Sequence, residues 1–511
     1  MGSGCLMLAA GLFFWQAAQW QSFLGSQRQL LTPGAVAIED NMPPLVALTT
    51  VALGGFRGLI ADVLWLRATR MQEEGKYFEI VQLSDWITKL EPRFSPVWSF
   101  HAWNMAYNIS VLFDAPEDRW RWVQSGFKLL RDEAIQYNPG DASLYWDLGW
   151  MFQHKLGEDL DQAHMYYKSA WATEMSALFR GRAPEYEVLA NAPSNRRELL
   201  DRPGVKELLR TLEAKGIDPF DIKYLPVAEL KDSAGLELIH FLQRSRLEID
   251  YKLEPARMQI VDEQFGPLDW RLPQAHAIYW AQRGKPHAKG FNHLQLDRMT
   301  FQSQYAAFRY GRAFIDIEGN LIPSANLDIV PNLIRAFQTA MDEFPGQESV
   351  ETAYVNFLSD ATTLLYAYHR MAEARKLFNE LKSQYPSHVK ADDFESFIVQ
   401  SVAEDFKQLG PAQAQALVEA MSMQSYLWYA VGDVARSAGS EQTAHIVYQK
   451  YQDQLESDRE AERIGLPPFS SIKRQAYVRV YERLLSDEGR KRLKAFQPPT
   501  NDTIPTAPVS N

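Results

Sequence analysis

The chain is poor in the residues that announce chemistry. It has a single cysteine, Cys5, in 511 residues. One cysteine excludes an internal disulfide and any cysteine-based zinc site. Cys5 precedes an apolar run instead of following one, the reverse of a lipoprotein cysteine. Glycine-rich phosphate loops, G-x-S-x-G elbows and H-E-x-x-H pairs are absent from the sequence, which removes the compact signatures of nucleotide binding, serine hydrolysis and zinc proteolysis. A carboxylate pair leaves no such signature, so these absences do not exclude every enzyme. Clustered basic residues are also lacking. Lys and Arg total 53 against 64 Asp and Glu, a net charge of -11. Nucleic acid is therefore not an expected partner, because phosphate neutralisation needs a basic patch.

What the chain does have is apolar substance. Hydrophobic residues make up 46% and aromatics 12%, enough for a large core. Leu6 to Trp15 carries no polar side chain, and with its flanks the stretch reaches the length of a membrane-spanning helix. Trp15 and Trp20 suit an interface belt. An uncleaved N-terminal anchor is the expectation. A cleaved signal fits less well, since no basic segment precedes the run and Ala35-Val36-Ala37 lies far beyond it; a buried core helix is the third reading. A second run, Pro43 to Ala68, is interrupted by Arg57 and Asp62. Those charges are costly in a bilayer, so this run reads as a hydrophobic segment entering the first helix of the body, ahead of a second membrane pass.

Through the body, apolar residues recur at helical spacing. "SVETAYVNFLSDATTLLYAYHRMAEARKLFNELKSQYP" gives two helices broken near His369-Arg370. "SYLWYAVGDVARSAGSEQTAHIVYQKY" puts Trp428, Val431, Gly432 and Ala435 before Ala444, Tyr448 and Tyr451. "LYWDLGWMFQHKLGEDLDQAHMYYKSA" puts Tyr145, Leu148, Gly149 and Phe152 before Ala163, Tyr167 and Ala170. A less complete unit has Ala361, Leu365, Ala374, Phe378 and Leu381, with Thr362 where the others have glycine. This pattern resembles the tetratricopeptide repeat, W-x2-L-G-x2-Y followed by A-x3-F. Residues 60–140 and 141–175 resemble it fairly well, and 350–455 well. Gly149, Gly432 and Ala444 are small where antiparallel helices would cross closely, and Ala163, Tyr167, Ala374, Phe378 and Tyr448 are packing residues.

The resemblance implies an all-α fold: an α-solenoid of antiparallel helix pairs in a divergent, membrane-anchored protein of bacterial type. The expected organisation is an anchor and linker over 1–40, repeats over 41–177, a divergent region over 178–345, further repeats over 346–490 and a Pro- and Thr-rich disordered tail over 491–511. The divergent region holds a charged helical insert (178–262) and a short β-hairpin, "AFIDIEGNLIP". In tetratricopeptide proteins the first helix of each repeat lines a concave groove. That register puts Trp146, Trp150 and Gln153 in the early groove, and Tyr426, Tyr429, Asp433 and Arg436 in the late one. It implies protein or peptide partners. The anchor is expected in a bacterial inner membrane, with the bulk in the periplasm. Envelope, secretion or pilus assembly would suit such a scaffold.

One stretch concentrates chemistry-bearing residues: "FGPLDWRLPQAHAIYWAQRG", 265–284. Pro273 sits at a favoured helix start, Gly284 at its end, and Asp269 reads as a cap or loop acid. His276 is expected to be a satisfied helix histidine. His287 and His293 could hold a metal, yet no third ligand has a diagnostic spacing; His101 has the same standing. No cofactor, no metal and no catalytic residue are expected. The alternative is an α/α-toroid carbohydrate-active enzyme, with aromatics stacking on sugars and paired carboxylates at the ring centre.

Overall fold

The computed structural model describes residues 56–180, 183–221, 225–226, 230–315, 321–368, 370–389, 391, 393–394, 396–398, 401, 411–456, 466–485 and 487–495. The expected anchor, residues 496–511 of the expected tail and the hairpin tip Glu318-Gly319-Asn320 lie outside them, while 491–494, expected in the disordered tail, are helical. The described residues are mostly helical, with one two-stranded sheet. The chain divides into two compact units, Met1–Val97 and Trp98–Asn511. The division falls inside the expected 41–177 repeat block, and one unit holds both the divergent region and the later repeats.

In the first unit, α1 (Phe56–Glu73) and α2 (Tyr77–Leu90) pack as a pair. Gly75, at φ +72, makes the turn between them, a conformation glycine adopts without a Cβ clash. Helix α2 buries Ile80, Leu83 and Ile87. On α1, Phe56, Leu59, Val63 and Leu66 stay exposed. Among the described residues no helix is long and apolar enough to cross a membrane.

The second unit starts with α3 (Ser95–Trp103, entered from the first unit) and α4 (Pro116–Lys128). Next come α5 (Ala142–Trp150) and α6 (His164–Phe179). Asp141 caps α5 by accepting from Ser143 N. Helices α3, α4 and α5 continue as π-helical turns, Asn104–Ile109, Leu129–Ala134 and Met151–Leu156. The expected insert is a small helical body of α7 (Tyr186–Asn191), α8 (Arg196–Leu200), α9 (Val205–Ala214) and α10 (Ser233–Asp250). Leu199, Val205, Leu209, Leu212 and Leu238 give it its own core.

After α11 (Pro255–Phe265) comes α12 (Pro273–Gly284), the helix of the 265–284 stretch, and then α13 (Phe291–Tyr310). Pro273 opens α12 as expected, and a 3-10 turn at Lys285–His287 follows Gly284. Helix α12 pairs with α13 and also packs on α5. The insert therefore separates, in sequence, two helices that touch in space. Strands β1 (Arg312–Ile315) and β2 (Leu321–Ser324) form the expected hairpin, antiparallel with Arg312 opposite Ser324. Asp269 is a loop acid: its carboxylate accepts from Ala313 N at 2.9 Å and from the Arg271 guanidinium, fixing the loop before α12 to β1.

The remaining helices are α14 (Val330–Glu343), α15 (Glu348–Ala367), α16 (Met371–Gln384), α17 (Pro411–Ala430), α18 (Val434–Glu456), α19 (Phe469–Arg479, running into a π turn) and α20 (Asp487–Lys494). Helices α15 and α16 form a pair, as do α17 and α18, and α19 packs on α17. Helix α15 ends at Ala367 and α16 begins at Met371, so they flank the expected break. Ala374 and Phe378 are buried on α16.

Two repeat glycines depart from their expected neighbourhoods. Gly149 does lie at a close crossing, but with α12 and α13: a Cβ there would meet Met299 Sδ at 2.5 Å and the Ala277 carbonyl at 3.4 Å. Gly432 is in no helix. Helix α17 ends at Ala430, and Gly432 takes φ +91 in the turn. Its N–H donates to Tyr429 O, and Asp433 N donates to Trp428 O at 2.9 Å. That pair of bonds is a Schellman cap. The residue closing the α17–α18 crossing is Ala444, packed with Leu417 and Val418, with Tyr448 at the rim.

Candidate functional site: an aromatic and amide cleft beside the fifth helix

The early groove residues lie on one face of α5. Trp146, Trp150 and His154 follow one another at four-residue steps, the spacing that aligns side chains on a helix. Their rings stack: Trp146 on Trp150 at 5.2 Å and 15°, Trp150 on His154 at 4.9 Å and 13°. From α3, Trp103 stacks on Tyr107 at 4.4 Å, and Tyr107 Oη lies 3.3 Å from His154 Nδ1. The π turns at Asn104–Ile109 and Met151–Leu156 hold Tyr107 and His154 respectively. Such turns shift the helical register locally and recur at functional sites.

A cleft of about 250 Å³ opens beside this ladder, and Trp150, Gln153, His154, Glu158, Gln274 and Ser303 are on its wall, with Gln302 and Tyr310. Gln153 Nε2 donates to Ser303 Oγ at 3.1 Å. Gln274, the second residue of α12, is 6% exposed, and its Oε1 accepts no hydrogen bond. An unsatisfied buried acceptor costs about 1–3 kcal/mol, so a ligand N–H at this oxygen would recover real free energy.

Electrostatics follow from burial. Burial, helped by the neighbouring Asp159 charge, pushes the Glu158 carboxyl above its usual range. Burial also lowers the His154 imidazole, with Lys155 adding to the effect. Under the cleft, Lys155 Nζ lies 2.6 Å from Asp161, and Arg119 reaches the same carboxylate at 3.2 Å. Burial raises Asp159, but His164 at 3.0 Å and Lys168 at 2.5 Å outweigh it and hold that carboxyl low. These pairs pin the α5–α6 loop that carries Glu158. Among the described residues lining the cleft, Glu158 is the only carboxylate. Paired-carboxylate glycoside chemistry needs two.

The late set is arranged differently. Tyr426 is 1% exposed, edge-on to Tyr477 at 5.5 Å, and belongs to a core that α19 closes over. It offers no surface to a partner, because residues read as repeat helices pack across that face. Tyr429 packs half-buried against the same core, and Asp433 sits in the α17–α18 turn. The Arg436 side chain lies outside the described residues. None of the three described residues lines the cleft.

His276 is a satisfied core histidine, as expected. It is buried, stacked on Phe152 at 5.0 Å, with Nε2–H donating to Trp270 O at 2.9 Å. Burial pushes its pKa down to about 4. The residues missed in the sequence are amides and hydroxyls: Gln274, Gln302 and Ser303 sit on helices remote from α5 in sequence. Gln274 stood next to the helix-opening Pro273, yet nothing in a lone glutamine signals an unpaired carbonyl. Comparison with protein families, with curated proteins and with solved structures gives no match.

Proposed function

We propose that this protein is a non-enzymatic helical scaffold, anchored to a bacterial inner membrane through Leu6 to Trp15. It binds an extended segment of a partner protein in the cleft beside α5. Helix pairs such as α15–α16 and α17–α18, with the tetratricopeptide-like sequence pattern, support this reading, which extends to a periplasmic bulk and a role in envelope assembly. The observation that carries it is the unpartnered carbonyl of Gln274, buried beside the stacked Trp150 and His154. An extended peptide offers what that wall lacks: a backbone N–H for the carbonyl, and apolar side chains for the rings. Aromatic side chains are also frequent anchors of interfaces.

A photo-crosslinking amino acid at position 153 of the membrane-bound protein tests this, with exposed position 207 on α9 as control. One discrete adduct is expected at 153 and none at 207. Trp150→Ala should abolish it without changing the melting temperature by more than a few degrees. An adduct insensitive to Trp150→Ala, or none at all, overturns the cleft. Removing residues 1–40 should release the protein from membranes; retention after a salt wash would shift the anchor to Pro43–Ala68.

A further inference from the structure

A second group of side chains converges away from the aromatic cleft. His293 and Asp297 are one turn apart near the start of α13, and Glu343 ends α14. One ligand atom from each lies within 4.8 Å of the other two. His293 Nδ1 is 3.2 Å from Asp297 Oδ2. Asp297 is 8% exposed, and that Oδ2 is buried and accepts no hydrogen bond. A ring nitrogen and a carboxylate oxygen at this separation share either a proton or a metal. Two ligand atoms each about 2.1 Å from Zn2+ and 3.2 Å apart would subtend about 100°, close to tetrahedral. The group borders a cavity of about 440 Å³ whose wall includes Lys285, Asp297, Glu343, Gln282 and Thr300. That cavity leaves room for water or a further ligand.

The position is not unoccupied by charge. Lys285 Nζ lies 2.7 Å from Asp297 Oδ1 and 3.6 Å from Glu343 Oε2. The ammonium is an internal cation between the two carboxylates. It satisfies Asp297 Oδ1 and leaves Oδ2 with the histidine.

We propose that His293, Asp297 and Glu343 form a binding site for a divalent transition metal of the Zn2+ class, with Lys285 as the resident counter-cation that gives way to it. One imidazole and two carboxylates make a borderline donor set that suits Zn2+ better than Ca2+ or Mg2+, which prefer all-oxygen shells. Lys285 is 26% exposed at its side chain, so it can swing toward the cavity while keeping its charge. His287, the other histidine of this stretch, takes no part; it stacks on Tyr145 at 5.6 Å.

The test uses the full chain after chelator treatment, titrated with ZnCl2 by calorimetry and with Co2+ by visible absorption. One equivalent should bind, with a Co2+ band typical of four- or five-coordination. His293→Ala and Glu343→Gln should each weaken binding by about 100-fold, since a three-residue site loses a ligand. Lys285→Met should tighten it by about tenfold, because a competing positive charge is removed. His293 and Glu343 are both partly exposed, so those variants should fold, with circular dichroism as the check. If neither metal binds, or if His293→Ala and Glu343→Gln bind as the parent does, the site does not exist. If Lys285→Met weakens binding, the lysine belongs to the site's framework and its role as competitor is overturned.

Discussion

Gly149 and Gly432 occupy the same place in the sequence pattern and do opposite work. Gly149 lies inside a helix, where three elements meet and no room remains for a side chain. Gly432 lies outside its helix, where room is ample but the backbone is left-handed. The first is required by packing and the second by conformation. A motif that records only "glycine here" merges two physical causes, and substitutions can separate them. Gly149→Leu gives the largest expected effect. Met299 is flexible enough to yield to a methyl group, but the Ala277 carbonyl cannot yield to an isobutyl group. The cost should be about 3 kcal/mol or more, at the upper end for overpacking, measured by urea unfolding. A loss below about 1 kcal/mol would mean that α5 and α12 do not cross here.

One buried group on each side also titrates with the opposite sign. One buried titratable group near Gly149 is His276, held neutral with a pKa of about 4 against an ordinary 6.5. Its contribution to stability is complete above pH 6.5 and is lost as pH falls toward 4. Helix α17, which leads to Gly432, buries Glu419. Burial raises that carboxyl from 4.5 to about 7, although Arg479 at 3.2 Å opposes the shift. Its contribution is complete below pH 4.5 and is lost as pH rises through 7. Between pH 7 and 5, His276 should lose about 2 kcal/mol and Glu419 should gain about as much. His276→Gln should therefore make the protein more acid-tolerant than the parent, and Glu419→Gln less so. Unfolding free energies at the two pH values check both, and equal slopes in all three proteins would refute the assignment.

How much of this was legible follows the same division. Local spacing indicated the helices, the hairpin at Ala313 to Pro323 and the break before Met371, because it encodes local structure. Trp150 and Gln153 could be placed on one wall because they share a helix. What could not be read was the long-range pairing of α5 with α12 across the insert. That pairing brings Gln274 and Ser303 to the same wall, and α14 likewise brings Glu343 to His293. No spacing rule links residues 50 positions or more apart. Tyr426 was misjudged for the same reason. Its covering helix, α19, lies beyond the repeat that suggested it was exposed.

The smallest effect is the sharpest discriminator. Gly432→Ala places a Cβ on a residue at φ +91, and left-handed backbone costs an L-residue about 1–2 kcal/mol. Gly432→Asn should cost less, about 0.5 kcal/mol, because asparagine visits that region readily and follows glycine at helix ends. Space is not the obstacle, since the nearest atom to a Cβ there is Arg492 Nη1 at 3.7 Å. Asparagine at position 149 has no such advantage and should behave like any side chain forced into the crossing. If conformation governs position 432 and packing governs position 149, asparagine will be the mildest substitution at the first and a severe one at the second. Four chemical denaturation curves, alanine and asparagine at each site, decide it. An alanine at 432 milder than asparagine would mean that the turn is not left-handed in solution.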